Sequence, residues 1–231
     1  MIISIHQPNF LPWIGYLNKL VSSNIFVLFD DVQFPRGHSF GNRVLIKSSS
    51  GAQWITIPVK GKSELLQFNQ VSIDYSGRWL DKLLKSLKLN YQKSSYFEEI
   101  YESLSKILLS RHTELLDLNF SLLTFVKEYM NIKTNLVFSS EIESAKNLSG
   151  SEKIITLLKA LNASTYLSGE GSGSKRYITE DDFVQENIKL VYQHFQHPVY
   201  PQLYGEFIPK LSIIDLLFNC GPDSKTYILC Q

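Results

Sequence analysis

MIISIHQPNFLPWIGYLNKL (residues 1–20) opens the chain, and its reading decides the fold. Met1 to Ile5 is an apolar run of strand character that passes directly into His6 and Gln7. Pro8 and Pro12 then fall within one short turn, and an amphipathic run follows from Trp13 to Val21. A buried strand that hands polar groups to the start of a helix is how an open α/β sheet builds a site, because ligands bind outside the carboxyl ends of its strands. Helix N-termini add unpaired N–H groups that suit anions. The plainer alternative is that the two prolines only shape a turn, with His6 and Gln7 satisfied locally.

The whole chain supports a sizeable core. Its 231 residues, 44% hydrophobic and 19% charged, suit one elaborated domain or one domain with an insertion. A net charge of +1 gives no basic field to gather nucleic acid. The 12 tyrosines and 14 phenylalanines fit strands and an aromatic-lined pocket as well as an ordinary core. Cys220 and Cys230 have neither metal-type spacing nor a disulfide framework, as expected in a reducing cytoplasm. No basic n-region precedes the first apolar run, and no window approaches the ~20 apolar residues of a membrane helix. The expectation is a cytoplasmic protein with no membrane or nucleic-acid partner.

Further along, Asn24 to Phe29 (NIFVLF) reads as a second buried strand that ends in Asp30 and Asp31. A polar loop with Pro35, Gly37 and Gly41 follows, placed over the site. Residues 44–60 (VLIKSSSGAQWITIPVK) form a hairpin signal: two β-branched runs around Ser-Ser-Ser-Gly. Phe68 to Ile73 reads as a third extended piece. From Arg78 to Tyr129 the apolar residues take helical spacing, predicting three helices whose leucine stripes are core. Thr134 to Ser140 returns to strand character, and Ser149 to Glu152 resembles a capping box opening a helix through Leu161. Strands are predicted at Ser164 to Ser168 and Ile188 to Tyr192, and a last helix at Ser212 to Phe218. The fold class is therefore α/β: a Rossmann-like, mostly parallel sheet with a β-hairpin excursion and a helical insertion. Residues 1–76 and 132–231 form the core with its hairpin, and 77–131 the insertion.

Four strand ends carry polar groups: His6 with Gln7, Asp30 with Asp31, Ser168 with Gly169, and the stretch from His194 to His197. In a parallel sheet these ends share one edge. Histidine suits acid–base work near neutral pH, and a carboxylate can orient it. His6 with Asp30 or Asp31 is the preferred catalytic pair, and His197 the alternative base. A histidine merely satisfied in the core is the competing reading. Arg43 and Lys47 fall on one face of the first hairpin strand, where they could grip a phosphate or stand as solvated edge charges. Gly169 to Lys175 (GEGSGSK) is neither a Walker A motif nor a G-x-G-x-x-G fingerprint. It could cradle phosphate, act as a lid, or serve as a linker, with Lys175 and Arg176 as a second basic pair. Cys220 ends an apolar helix, the wrong end for an activated thiolate, so a packed thiol is expected.

Taken together, HQPNFLPWIGYLNKL (6–20), FDDVQF (29–34), NRVLIK (42–47), TYLSGEGS (165–172), HPVYPQLYGEF (197–207) and LSIIDLLFNCGP (211–222) resemble the WbqC family of bacterial proteins. These pieces span nearly the whole chain. The resemblance implies a role in lipopolysaccharide O-antigen or other surface-glycan synthesis. It further implies transfer of an acyl or aminoacyl group from a thioester carrier to the amine of a nucleotide-linked amino sugar. A carrier-bound phosphopantetheine thioester would be the donor, an acyl or peptidyl carrier protein a partner, and no metal is called for. Gln7, Asn9, Trp13, Tyr16, Gln33, Arg43, Lys47, Ser168, Gly169, Tyr200 and Gln202 are the substrate-binding candidates that these matching stretches supply. A fainter likeness is to the nucleotidylyltransferases, whose first turn carries Pro and then His-x-Gly-His. Here Pro12-Trp-Ile-Gly-Tyr16 keeps the Pro and Gly but sets Trp13 and Tyr16 near the histidine positions, one residue short. Nucleotidyl or adenylyl transfer is one alternative, and a non-catalytic module binding a sugar nucleotide or carrier protein another.

Overall fold

The computed structural model describes every residue except 36, 62–63, 172–177 and 230–231. Its centre is a five-stranded sheet of β1 (Ile2–His6), β2 (Ile25–Leu28), β5 (Asn135–Phe138), β6 (Thr165–Ser168) and β7 (Lys189–Tyr192), in the spatial order β5-β2-β1-β6-β7. Every pairing in it is parallel. Counted along the chain, the sheet strands run 3-2-1-4-5, the order of doubly wound dinucleotide-binding folds without the sixth strand. The expected α/β class with a parallel sheet and a hairpin is the one found.

The strand sequences explain the layering. Alternation sends Phe26 and Leu28 to one face and Ile3, Ile5 and Val27 to the other. Because both faces are covered, short apolar strands such as IFVL suffice. The first face is covered by α1 (Ile14–Val21), through Tyr16, Leu17 and Leu20. The same cluster takes in the hairpin β3 (Arg43–Ser48) and β4 (Gly51–Thr56), then α2 (Trp79–Tyr91), α3 (Phe97–Leu109), α4 (Leu115–Tyr129) and α7 (Ile213–Cys220). The opposite face packs on α5 (Gly150–Ala160) and α6 (Glu180–Gln185), through Ile154, Leu157, Leu158 and Phe183. A final short helix, α8 (Ser224–Leu229), lies against α1, where the Asn18 amide donates to the Ile228 carbonyl at 2.8 Å.

The hairpin pairs Ser48 with Gly51 across Ser49 and Ser50, and Gly51 takes φ of 106°, a conformation open to glycine. Three helices stand between Arg78 and Tyr129, as the spacing predicts. Two expectations change. Phe68 to Ile73 is not a strand: Phe68–Gln70 is a 3₁₀ turn, because the 30–34 segment takes its backbone donors (Phe68 N–H to Val32, Asn69 N–H to Asp30) while the Phe68 ring is buried against Phe34. At Ser149 the helix begins as expected, but no capping-box bond forms. The Ser149 side chain makes no capping bond, and its carbonyl accepts from the Lys153 N–H instead. The short helices α6 and α8 leave no readable stripe, since α6 buries only Phe183. No helix among the described residues is long and apolar enough to cross a membrane.

Candidate functional site

The topology places its switch point at β1 and β6. From β1 the chain moves outward to β2 and β5, then returns to the other side of β1 as β6, so the switch point lies between these two strands. Here the ladder pairs Ile2 with Thr165 and Ile3 with Tyr166 and goes no further. The β1–β2 and β6–β7 ladders run on to His6–Leu28 and Ser168–Tyr192. Ser4 Oγ bridges to the Leu167 carbonyl at 3.0 Å. Beyond that bridge His6 and Ser168 stand at strand ends no longer paired to each other.

His6 is half-buried and faces α1. Its Nδ1 lies 3.0 Å from the Gln7 carbonyl, which can only accept, so Nδ1 carries the proton and Nε2 the lone pair. Nε2 has no hydrogen-bond partner among the described residues. Tyr16 sets its ring edge-on to the imidazole, with centroids 4.8 Å apart. Burial, with help from the Lys19 ammonium, pushes the imidazole far below its ordinary value, to about 3, against the pull of the Gln7 carbonyl. The result is a neutral histidine of fixed tautomer with one open acceptor.

The carboxylate expected to orient it does other work. Asp30, 1% exposed, accepts from Ser139 Oγ and Ser140 N–H through Oδ1 and from Ser140 Oγ through Oδ2 at 2.7 Å. Asp31 forms a buried ion pair with Lys153 at 2.7 Å and shares the single Ser139 hydroxyl proton with Asp30. The pair of aspartates thus fastens the end of β2 to the end of β5 and to α5. A carboxylate at the end of the neighbouring strand satisfies the spacing, but nearer hydroxyl and ammonium donors claim it. The His6–Asp30/Asp31 pair does not form.

The alternative base is also engaged. His197 donates through Nδ1 to the Pro198 carbonyl at 2.8 Å and accepts the Lys210 N–H on Nε2 at 3.0 Å. Its ring stacks on Trp13 and Tyr200, so it anchors the 197–210 segment rather than offering a lone pair.

Nor do Arg43 and Lys47 form a joint clamp. Lys47 is 1% exposed, and its ammonium is held by Gln202 Oε1 at 3.0 Å and the Glu206 carbonyl at 2.6 Å. Arg43 stays on the hairpin, its guanidinium 3.5 Å from the centre of the Trp54 ring and bonded to His38 Nδ1. Tyr200 and Gln202 join Lys47 in a buried cluster around Asp215, a residue that sequence reasoning passes over. Asp215 accepts from the Tyr91 and Tyr200 hydroxyls at 2.8 and 2.9 Å, and burial raises it to about 6 despite them. An aspartate three residues into an apolar helix is its one legible signal.

The remaining candidates are dispersed, each held by its own local contacts. Gln7 donates to the Gln33 carbonyl at 3.4 Å, and Gln33 itself is exposed. Asn9 is buried within the proline turn. Trp13 lies over Gly15, where a Cβ would come within 2.2 Å of the indole, and meets Phe195 edge-on. Ser168 is fully buried with its hydroxyl 3.3 Å from the Gly169 carbonyl. The glycine-serine loop from 172 onward, with Lys175 and Arg176, lies outside the described residues. Gln193 and Lys19 carry no signal in the sequence. Gln193, just past β7, donates to the Gly15 carbonyl at 2.9 Å and to Asn18 Oδ1 at 2.7 Å, closing that strand end onto α1. Cys220 is a packed thiol, 7% exposed and pushed up to about 11 by burial. Cavities of about 760 Å³ (between α5 and α6) and about 330 Å³ (around Asn24 and Thr134, at the opposite edge of the sheet) lie elsewhere.

Sheet order and strand ends define a doubly wound α/β protein whose switch point lies beside a histidine of fixed tautomer. The chain belongs to the WbqC-like protein family, which it matches over residues 7–227. It is 33% identical over 228 residues to the uncharacterized protein Rv1507c of Mycobacterium tuberculosis, covering 98% of this chain and 96% of that one. No solved structure matches it.

Proposed function

We propose that this protein is a transferase of surface-polysaccharide biosynthesis, acting in the cytoplasm, that moves an acyl or aminoacyl group from a carrier thioester to the amine of a nucleotide-linked amino sugar. One observation carries the reading: a histidine with a fixed tautomer and an open Nε2 at the parted ends of β1 and β6. Family membership supports the context, and the chemistry follows from what such a group can do.

The neutral amine attacks the thioester carbonyl, and the new C–N bond leaves an acidic N–H on a tetrahedral intermediate. His6 Nε2 takes that proton, a transfer that requires the bound anionic acceptor to raise the imidazole from its value in the free protein toward that of the amine. Backbone N–H groups near Gln7 or Gly169 would hold the oxyanion. Collapse breaks the C–S bond, and the departing thiolate takes the proton back from Nε2, so amide and thiol form with the base regenerated. Gln7, Asn9, Trp13, Tyr16 and Gln33 would shape the acceptor's site, and Arg43 would meet its diphosphate.

Two measurements test this. Binding to the native state raises the melting temperature by mass action, so a panel of amino-sugar nucleotides, ATP or CTP with Mg²⁺, and acyl thioesters separates the classes. An amino-sugar nucleotide should shift the wild type and its His6→Ala variant alike, and thiol release from an acyl thioester should require His6. A shift with ATP or CTP and Mg²⁺ alone would replace this reading with nucleotidyl or adenylyl transfer. Saturable binding with no turnover in either protein would make it a binding module.

A further inference from the structure

We propose that Phe40, Trp54, Arg43 and His38 form the site that grips the acceptor's nucleotide, the two aromatic rings taking its base and Arg43 with His38 its diphosphate. The inference rests on the reading of the acceptor as nucleotide-linked and adds the residues that recognise the base.

Arg43 is held in place without an anion. Its guanidinium lies flat on Trp54, 3.5 Å from the ring centre, and gives one N–H to His38 Nδ1. No carboxylate pairs with it among the described residues. A guanidinium carries five N–H donors in a planar fork, so its remaining donors are open to a bidentate acceptor. Arginine stays protonated, so the His38 nitrogen it meets must accept, which leaves the imidazole proton on Nε2. His38 is exposed, and that N–H is a second donor beside the fork.

Around this cation the surface is aromatic. Phe40 and Trp54 are 58% and 42% exposed, and their rings meet with centroids 6.0 Å apart. A single exposed apolar residue is ordinary, but two touching rings beside an unpaired arginine make a contiguous patch. Free phosphate needs only the donors, and an apolar ligand only the rings. A nucleoside diphosphate uses both, because bases stack on aromatic and guanidinium planes while phosphate oxygens take the N–H fork. Placement agrees with this. Phe10, in the turn after β1, donates its N–H to the Phe40 carbonyl at 2.9 Å. Trp54 pairs with Leu45, the Leu45 carbonyl accepts from the Ser212 N–H at 2.8 Å, and Ser212 bridges Trp13 at the start of α1. Three strand spacings, about 14 Å, therefore separate Trp54 from Trp13. A nucleotide held on the hairpin can extend its sugar along that line toward the turn that follows His6.

The test titrates the full chain with uridine, thymidine, cytidine, guanosine and adenosine diphosphates, with inorganic pyrophosphate and the free nucleosides alongside. At least one diphosphate should quench indole fluorescence, and the quench should vanish in Trp54→Phe, which keeps Trp13 and Trp79. By calorimetry, Trp54→Ala and Phe40→Ala should each weaken that diphosphate by roughly five- to hundredfold, the worth of one base–aromatic stack. Both positions are exposed, so the variants should fold. No binding by any diphosphate overturns the proposal. So does binding indifferent to Trp54 and Phe40, or pyrophosphate binding as tightly as every nucleoside diphosphate. Thioester turnover separates this site from the transferase reading. Trp54-dependent binding of an amino-sugar nucleotide without turnover would keep the site and remove the transferase, and turnover indifferent to Trp54 and Phe40 would do the reverse.

Discussion

Two buried polar regions of this molecule differ in one respect that separates chemistry from architecture. Around Asp215, each group meets a partner: two tyrosine hydroxyls bond the carboxylate, and a glutamine and a carbonyl hold Lys47. Around His6 the bonds are incomplete. Nδ1 is fixed by the Gln7 carbonyl while Nε2 and the Tyr16 hydroxyl are left without partners among the described residues. A satisfied buried network locks the hairpin, α2, α7 and the 197–208 segment together. An unsatisfied one costs stability and is retained where a ligand completes it.

The largest effect that would break this contrast is on turnover. His6→Ala should lower thioester-dependent turnover by roughly 10²- to 10⁴-fold, with little change in melting temperature at neutral pH or in sugar-nucleotide affinity. A variant that loses stability instead would make His6 a structural residue. Asp215→Ala should do the reverse, destabilising by about 1–3 kcal/mol for each tyrosine hydroxyl it orphans, as measured by denaturant unfolding.

Acid titration of stability sharpens the same comparison with opposite signs. Folding lowers the value of His6, so the unfolded chain binds more protons below about 6.5 and stability falls as pH drops through that value. Folding raises Asp215 from 3.8 to about 6, so the folded state binds more protons in that window and gains stability as pH falls through it. His6→Ala should therefore flatten the acid loss of stability, and Asp215→Asn should steepen it. The smallest effect is expected on the hairpin. Arg43→Ala should cost only about 0.5–1 kcal/mol of stability, the scale of an exposed cation–π contact, and should show itself mainly as weaker sugar-nucleotide binding in calorimetry.

Much of the frame is legible in local pattern. The apolar runs around residues 2–6, 25–28, 135–138, 165–168 and 189–192 announce strands, and leucine spacing between Arg78 and Tyr129 announces three helices. Periodicity survives because each such element buries one consistent face. Phe68–Gln70 defeats the same reasoning, since its conformation depends on donors claimed by residues 30–34, far away in the chain. Lys47 fits a solvated charge on an edge strand until the segment at 202–206 closes over it.

Strand identity, helix spacing, the hairpin turn and the presence of polar residues at strand ends thus follow from near neighbours along the chain, whose sterics and burial periods act over a few residues. Which polar groups remain open does not. Asp30 and Asp31 are drawn to Ser139, Ser140 and Lys153, His197 to Lys210, and Lys47 to Gln202, all partners that only folding brings near. Hydrogen bonds and ion pairs are short-ranged and saturable, so the packed chain alone decides that His6 keeps a free nitrogen at its strand end.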